Sequence, residues 1–299
     1  MLGRKRAVVG ALLILVGAFW WFSRPVPLSE EDLPDHLPDP ANGERIFHAG
    51  GCASCHAAPG AESRDRDVLS GGLVLDSPYG VFSAPNISPG MKHGIGDWEP
   101  LDFANAMLRG ISPAGRHYFP SFPYTSYARM SISDVLDLKA FLDTLPASDQ
   151  QNAPHRMVFP FGFRRALGIW KRLYLDQNFV MAIDQEDALL ERGRYLVEGP
   201  GHCGACHTPR NRVGAPRLDQ WLSGAPVMEG EGRVPDITAQ GLADWSEGDI
   251  GFYLETGMDP DFDVVGGDMV KVQENMARLP AEDRQAIAAY LKRAGTGAH

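Results

Sequence analysis

The longest uninterrupted apolar stretch of the chain lies near its start, from Ala7 to Phe22. Basic residues at positions 4–6 come directly before it, and a proline-rich and acidic stretch over residues 25–40 follows. Positive charge before an apolar helix favours the orientation with the N-terminus in the cytoplasm. We therefore predict a single-pass transmembrane helix over residues 1–24 and an extended tether over residues 25–40.

A cleaved signal peptide is the alternative interpretation of this run. Its sixteen residues are slightly short for a membrane span. A cleavage site, however, needs small residues, and the run ends in the bulky side chains of residues 20–22. Paired tryptophans such as Trp20 and Trp21 are typical of the membrane–water interface. The pattern favours a retained membrane anchor.

Two amphipathic helical patterns close the two halves of the chain. The first has its apolar stripe at Ile132, Val135, Leu136, Leu138, Phe141 and Leu142, and the second has it at Ile287, Ala288, Tyr290 and Leu291. A helix-start signal at residues 280–283 precedes the second stripe. Apolar side chains at these spacings predict helices that each bury one face.

Other segments of the first half recur in the second half in the same order. Residues 43–47, 84–88 and 94–98 match residues 192–196, 234–238 and 241–245. This internal repeat predicts a duplicated fold. We predict an all-α protein with one domain over residues 41–146 and another over residues 186–299. The segment between them, residues 147–185, is predicted to be a linker helix across the domain interface or a docking surface for a partner.

All four cysteines of the chain lie in two copies of the motif Cys-x-x-Cys-His, at residues 52–56 and 203–207. Two thiols at this spacing can form thioether bonds with the two vinyl groups of one haem, and the following histidine is held under the iron. The motif is the attachment signature of c-type haem. We predict two covalently bound haem c groups, attached through Cys52, Cys55, Cys203 and Cys206, with His56 and His207 as fifth iron ligands.

Zinc binding or a thioredoxin-like dithiol is the alternative for each motif, but two copies that use every cysteine disfavour it. Covalent haem attachment of this kind places the haem-bearing part outside the cytoplasmic membrane, in the periplasm. Backbone oxygens of Pro85 and Pro235 are predicted to fix the tautomers of the two histidines.

Composition and charge narrow the range of partners. The chain has 299 residues, of which 44% are hydrophobic and 22% charged, so it is globular. A formal net charge of −10 argues against nucleic acid as a partner. An acidic surface suits docking to a basic face of a redox protein, and it equally suits a role in solubility alone.

The sixth iron ligand decides what each haem does, because methionine in that position gives a reversible electron carrier of raised potential. In the second half, Met269 precedes the closing helix in a predicted loop and is our predicted ligand, with Met276 as the alternative. A methionine at either position can also simply fill the core.

The order of elements in each half resembles that of class I cytochrome c domains, over residues 41–146 and 186–294. Residues 115–127 resemble a signature of the cytochrome subunits of membrane-bound alcohol, sugar and gluconate dehydrogenases. In that family a methionine before the Pro-Tyr pair is the iron ligand. Here the position holds Phe122, which cannot bind iron.

Met130, at the start of the closing helix, is therefore our predicted sixth ligand of the first haem. His117 or an open site is the alternative, and the other expectation for His117 is a polar or propionate contact. Met107 falls on the apolar side of its helical pattern and is predicted to be a core residue.

These features predict a membrane-anchored electron carrier rather than an enzyme. The resemblance implies a quinoprotein or flavoprotein dehydrogenase as electron donor, and the anchor equally permits a relay from a bc1 complex to a terminal oxidase. The competing class is a dihaem redox enzyme of the peroxidase type, with an open haem in the first domain. A thiosulfate dehydrogenase of the known kind would need a cysteine ligand, and no fifth cysteine exists.

Overall fold

The computed structural model describes residues 2–61, 66–183, 186–227 and 231–295. Residues 184–185 of the predicted linker and residues 296–299 of the second predicted domain lie outside these ranges. In the first half and linker, the helices are α1 (Leu2–Phe22), α2 (Pro40–Ala49), α3 (Cys52–His56), α4 (Pro100–Arg109), α5 (Tyr124–Tyr127), α6 (Ile132–Leu142) and α7 (Leu167–Tyr174). In the second half they are α8 (Ala188–Glu198), α9 (Gly204–His207), α10 (Glu247–Thr256), α11 (Met269–Met276) and α12 (Ala281–Leu291).

Short strands accompany the helices. β1 (Val74–Leu75), β2 (Gly80–Ser83) and β3 (Arg156–Met157) form an antiparallel sheet in that order, and β4 (Ala225–Pro226) pairs antiparallel with β5 (Arg233–Val234). In the register, Val74 lies opposite Ser83, and Gly80 lies opposite Met157. The described chain is thus mostly helical, as predicted. Strands of two to four residues are too short to leave an alternating pattern in the sequence.

The apolar side chains form two clusters, one centred in each half, although Ala49 of the first half belongs to the second cluster and Tyr195 of the second half packs against the first. In the first, α2 packs against α6, with Ile46 and Val135 at the centre. In the second, α8 packs against α12, with Leu196 and Tyr290 fully buried. Both predicted apolar stripes face these clusters, so the prediction of two amphipathic closing helices is confirmed.

A glycine lies at the crossing of each helix pair. A Cβ at Gly43 would lie 2.0 Å from the carbonyl oxygen of Asp137 in α6, and one at Gly193 would lie 1.9 Å from that of Ala286 in α12. Real Cβ atoms do not approach a backbone oxygen so closely. Both crossings therefore require glycine.

Replacing Gly193 with alanine should force α8 away from α12 and lower the free energy of unfolding by about 3 kcal/mol, the upper end of the range for overpacked cores. Chemical unfolding followed by circular dichroism measures this loss. Gly251→Ala in α10 is the matched control, because no atom lies within 4 Å of the added methyl group. Equal stability of the two variants would contradict the crossing geometry.

The N-terminal helix α1 stands apart from both clusters. Residues Gly3–Phe22 have a mean hydropathy of 1.6, and none of them is buried against the rest of the described protein. The predicted tether that follows is fixed to the first half: Leu28 is buried, and its N–H donates to Oδ1 of Asn105 at 2.6 Å. His36 contacts the buried Asp137 at 2.6 Å.

Helix α7 of the linker joins the end of α1 to the first half. Gly168 lies against the backbone of Ser23, where a Cβ would come within 2.2 Å of the carbonyl oxygen. The Lys171 ammonium is buried and donates to the carbonyl oxygens of Arg109 and Gly110, each at 2.6 Å. Burial lowers the pKa of Lys171 to about 7.

This buried lysine predicts a pH-dependent stability. Because the pKa of Lys171 is about 7 in the folded chain against 10.5 ordinarily, the unfolded chain binds more protons between these values, and stability rises with pH across that window. We expect Lys171→Met to remove up to about 1.4 kcal/mol of this rise per pH unit. Unfolding of both proteins in detergent at pH 7, 8 and 9 measures it. Parallel pH profiles would contradict a buried, titrating Lys171.

Candidate haem sites

Each Cys-x-x-Cys-His motif folds as a short helix at the edge of its apolar cluster. Cys52 and Cys55 lie on α3, and Cys206 lies on α9 with Cys203 as its N-cap residue. Residues three apart on a helix share a face, so the two thiols of each pair point the same way. All four thiols are free. The local geometry therefore suits two attachment points on one flat cofactor.

The two motif histidines have the same hydrogen-bond partner in both halves. Nδ1 of His56 lies 2.8 Å from the carbonyl oxygen of Pro85, and Nδ1 of His207 lies 2.8 Å from that of Pro235. Since a carbonyl oxygen only accepts, Nδ1 carries the proton and Nε2 keeps its lone pair for a metal ion. The predicted contacts of the Pro85 and Pro235 carbonyl oxygens with the two motif histidines are confirmed.

Two glycines hold the proline loops against the motifs. The N–H of Gly71 donates to the carbonyl oxygen of His56 at 2.7 Å, and the N–H of Gly224 donates to that of His207 at 2.8 Å. Both have positive φ, 73° and 79°. A side chain at Gly71 would meet the backbone of Pro85 at 2.5 Å. The same scaffold thus fixes each imidazole.

The alternatives to haem fit this geometry poorly. Burial raises the pKa of Cys52 and of Cys203 to about 12, whereas a redox dithiol needs a lowered thiol pKa. Among the described residues, no group of three or more His, Cys, Asp and Glu side chains could hold a metal ion such as zinc. One imidazole with a free Nε2 and two neighbouring thiols is the donor set that fits a covalently bound haem.

The predicted sixth ligand of the first haem lies inside the first cluster. Met130 is 6% exposed and directly precedes Ser131, the N-cap residue of α6. Cys52 packs against the same cluster. Met107 is buried on α4, as predicted for a core residue. Met130 is therefore within the cluster that adjoins the first motif, and its ligation stays a prediction.

His117 contacts the end of α1. Its ring is buried, and Nε2 lies 2.9 Å from the carbonyl oxygen of Ser23 at the end of α1. Desolvation lowers its pKa. This contact is a polar one, as one of the expectations for His117 allowed, and it is made with the backbone at the end of α1.

The aromatic residues after His117 include one that the sequence analysis missed. Tyr127 is buried, and its ring centroid lies 5.6 Å from that of Phe122 and 5.7 Å from that of His202. Burial raises the pKa of Tyr127 well above its ordinary value, and Cys52 and Cys55 add to the effect. Tyr127 thus lies between the first motif and His202, the residue just before the second motif. The 115–127 signature contained Tyr127, but nothing in it indicated this contact.

In the second half, the predicted ligand Met269 is the first residue of α11 and packs against the second cluster. The prediction of a loop here was wrong, because Met269, Val272 and Met276 share one apolar face and continue as a helix. Met276 is 3% exposed and belongs to the cluster itself. Its position is that of a core residue.

Residues on α11 and its N-cap also reach the first motif. The Asn275 side chain donates to Oγ of Ser54 in α3 at 3.0 Å. Burial is the largest cause that raises the pKa of Cys55 and of Cys206, and the negative charge of Asp268 raises both pKa values further. The helix that carries Met269 therefore lies across both motifs.

Residues just before the two motifs also contact each other. Nε2 of His202 lies 3.2 Å from the carbonyl oxygen of Gly50, two residues before Cys52. His202 has a φ of 38°, an uncommon value for a residue other than glycine. A nearby ion pair of Arg129 and Glu198, 3.7 Å apart, also joins the halves, and Glu198 is fully buried.

Comparisons with known proteins agree with this geometry. The family model described as cytochrome c matches residues 40–146. A protein named diheme cytochrome c-type, from Cereibacter sphaeroides, is 51% identical over 292 residues, which cover 97% of this chain and 98% of that protein.

Two relatives are subunits of dehydrogenases. The fructose dehydrogenase cytochrome subunit of Gluconobacter japonicus is 34% identical over 90% of this chain and 54% of its own length. The gluconate 2-dehydrogenase cytochrome c subunit of Pantoea cypripedii is 34% identical over 85% of this chain and 59% of its own length. This chain thus spans little more than half the length of either subunit.

Proposed function

The chain belongs to the family of dihaem c-type cytochromes, and on this premise we propose that it carries electrons one at a time between a dehydrogenase and a downstream acceptor at the periplasmic face of the cytoplasmic membrane. It is an electron-transfer protein and not itself an enzyme. Haem c supplies reversible one-electron chemistry when bound, and the chain supplies attachment, axial ligands and orientation.

The observation that carries the proposal is the repeated attachment geometry. Each half places two thiols on a short helix and one histidine whose Nδ1 is bonded to a proline carbonyl at 2.8 Å. This repeat supports two haems in two tandem class I cytochrome c domains, residues 41–146 and 186–299, joined by residues 147–185. We assign His56 and His207 as fifth ligands, and Met130 and Met269 as sixth ligands.

Contacts between the motifs support electron transfer within the chain. His202 reaches the carbonyl oxygen of Gly50, and Asn275 reaches Ser54, so residues of the second half touch the first motif and the residues just before it. Tyr127 fills part of the space between the motifs. These residues would hold both haems within one protein, and the bound haems would supply the one-electron chemistry for transfer inside the chain.

The N-terminal helix supports a membrane anchor. Its 20 residues Gly3–Phe22 are long and apolar enough to cross a bilayer, and basic residues 4–6 lie at its start. A signal sequence can be equally apolar. The anchor is therefore best judged from the mature protein.

Purified mature protein tests both proposals together. We expect intact mass spectrometry to find the complete N-terminal helix and two haem groups per chain, in protein that salt washing leaves in the membrane. One haem per chain would overturn the dihaem proposal. A salt-soluble protein without its first residues, cut near residue 22, would overturn the anchor.

The electron donor is the remaining part of the proposal. Because relatives are cytochrome subunits of dehydrogenases, we expect the chain to co-purify in mild detergent with a quinoprotein or flavoprotein dehydrogenase whose substrate then reduces both haems. Co-purification with a bc1 complex and a terminal oxidase, without a dehydrogenase, would contradict this assignment and establish the relay instead.

A further inference from the structure

The linker carries a group of exposed apolar side chains that neither cluster uses. Phe159 is 93% exposed, Phe163 55% and Phe161 41%, and Val158 and Leu173 are exposed as well. Surfaces of soluble proteins rarely keep such contiguous apolar patches unless something covers them. We call residues 158–173 the aromatic strap.

The aromatic strap lies at the end of α1. The ring of Phe163 stacks on that of Phe19 with centroids 5.9 Å apart and planes 14° apart. Phe19 is three residues before the end of α1, which corresponds to about 5 Å along the helix axis. Phe163 therefore lies level with the last turn of the apolar helix and extends its apolar surface sideways.

Arginine side chains fix this arrangement. Arg165 donates to Oγ of Ser23 at 2.9 Å and to the carbonyl oxygen of Trp20 at 2.8 Å. Arg172 donates to the carbonyl oxygen of Phe22 at 2.6 Å. These carbonyl groups at the C-terminus of a helix lack partners within the helix, so the arginines stabilise the end of α1 and hold the strap to it.

The charge of this region differs from that of the rest of the protein. Residues 150–175 contain the arginines 156, 164, 165 and 172 and no acidic residue, whereas the whole chain has a net charge of −10. Protein segments at the bilayer surface are rich in aromatic and basic residues. The phenylalanines and arginines of the strap lie beside the exposed Trp20 and Trp21 and match that composition. Anionic phospholipid headgroups complement such a surface.

We propose that the aromatic strap is a second membrane contact, in which Phe159, Phe161 and Phe163 enter the headgroup region beside α1. The inference rests on the proposed membrane anchor. Its consequence is a fixed orientation: the tether is docked on the first half and the strap on the bilayer, so the haem-bearing part cannot swing freely about α1.

Photo-crosslinking in a bilayer tests the strap. The full-length, haem-loaded protein is prepared with benzoylphenylalanine at position 159, 20 or 262 and reconstituted into nanodiscs of phosphatidylcholine and phosphatidylglycerol. Position 20 reports on the anchor itself. Phe262 is the matched control, because it is an equally aromatic residue, 76% exposed, in the second half.

We expect phospholipid adducts at positions 159 and 20 and none at position 262. Adducts at position 20 without any at 159 would overturn the strap and leave the anchor standing. No adducts at either position would overturn the anchor and the strap together. Crosslinks at position 159 between two copies of the chain, without lipid, would show a protein interface and would overturn the proposal.

Discussion

Replacing Asp283 with alanine should lower the free energy of unfolding by about 3–5 kcal/mol, because it removes one partner of a buried ionic group. Asp283 is fully buried on α12. Arg192 of the second half donates to it at 2.7 Å and 3.0 Å, and Arg45 of the first half donates at 2.5 Å. The variant leaves two arginines facing each other without a carboxylate, so we also expect the halves to separate.

Chemical unfolding and the rate of electron exchange between the haems measure the two effects. Glu282→Ala is the matched control, because Glu282 is 68% exposed and its carboxylate lies as far as 3.9 Å from Arg45. We expect this substitution to lower the free energy of unfolding by less than about 1 kcal/mol. Equal losses of stability and equal electron-exchange rates in the two variants would contradict the prediction that Asp283 holds the two halves together.

The same carboxylate predicts an acid-sensitive interface. Burial alone would raise the pKa of Asp283, but hydrogen bonds from Arg192 and Arg45 outweigh it and hold the pKa below the ordinary 3.8. A group with a lowered folded pKa contributes stability above its ordinary pKa and loses it as the pH falls further. The original protein should therefore lose stability below pH 3.8 as Asp283 becomes protonated, and the Asp283→Ala variant should lack this part of the loss.

Replacing Met269 with alanine should remove the sixth ligand of the second haem and lower its midpoint potential by on the order of 0.1 V, part of the roughly 0.8 V that axial ligands span. Optical spectroscopy of the reduced protein should then show one five-coordinate haem. Met276→Ala is the matched control on the same helix, because Met276 belongs to the core. A spectral change from Met276→Ala, with none from Met269→Ala, would exchange the two assignments.

Met130→Ala should have the same effect on the first haem, with Met107→Ala as the buried control. The internal repeat does not decide this ligand. Counted back from the N-cap residues of α6 and α12, Met130 corresponds to Leu279, while Met269 corresponds to Pro120. The two haems would thus take methionines from different positions. An unchanged spectrum in Met130→Ala would remove it from the ligand set.

Local patterns were sufficient to predict the attachment sites. The spacing of Cys203, Cys206 and His207 sets the donor geometry within a few residues, and helical periodicity identified α6 and α12. The contact between His207 and Pro235 was also predictable, because the repeat places a proline at nearly the same distance after each motif, 29 residues after His56 and 28 after His207.

Contacts between the halves could not be predicted in this way. Arg45 and Asp283 are 238 positions apart, and His202 and Gly50 are 152 apart, so no local pattern links them. Docking of the two folded halves creates these pairs. The helical start at Met269 was missed because an eight-residue helix with apolar residues only at 269, 270, 272 and 276 is too short to distinguish from a loop.

Carbon monoxide binding to the dithionite-reduced, full-length protein tests whether both haem irons carry a sixth ligand from the chain. Carbon monoxide binds ferrous haem only where the sixth position is open, and the Met269→Ala variant serves as the positive control. If the protein is an electron carrier with both irons capped by its own side chains, the reduced spectrum stays unchanged on adding the gas. A rapid change in one of the two haems would reveal an open iron, contradict the account and favour a dihaem enzyme.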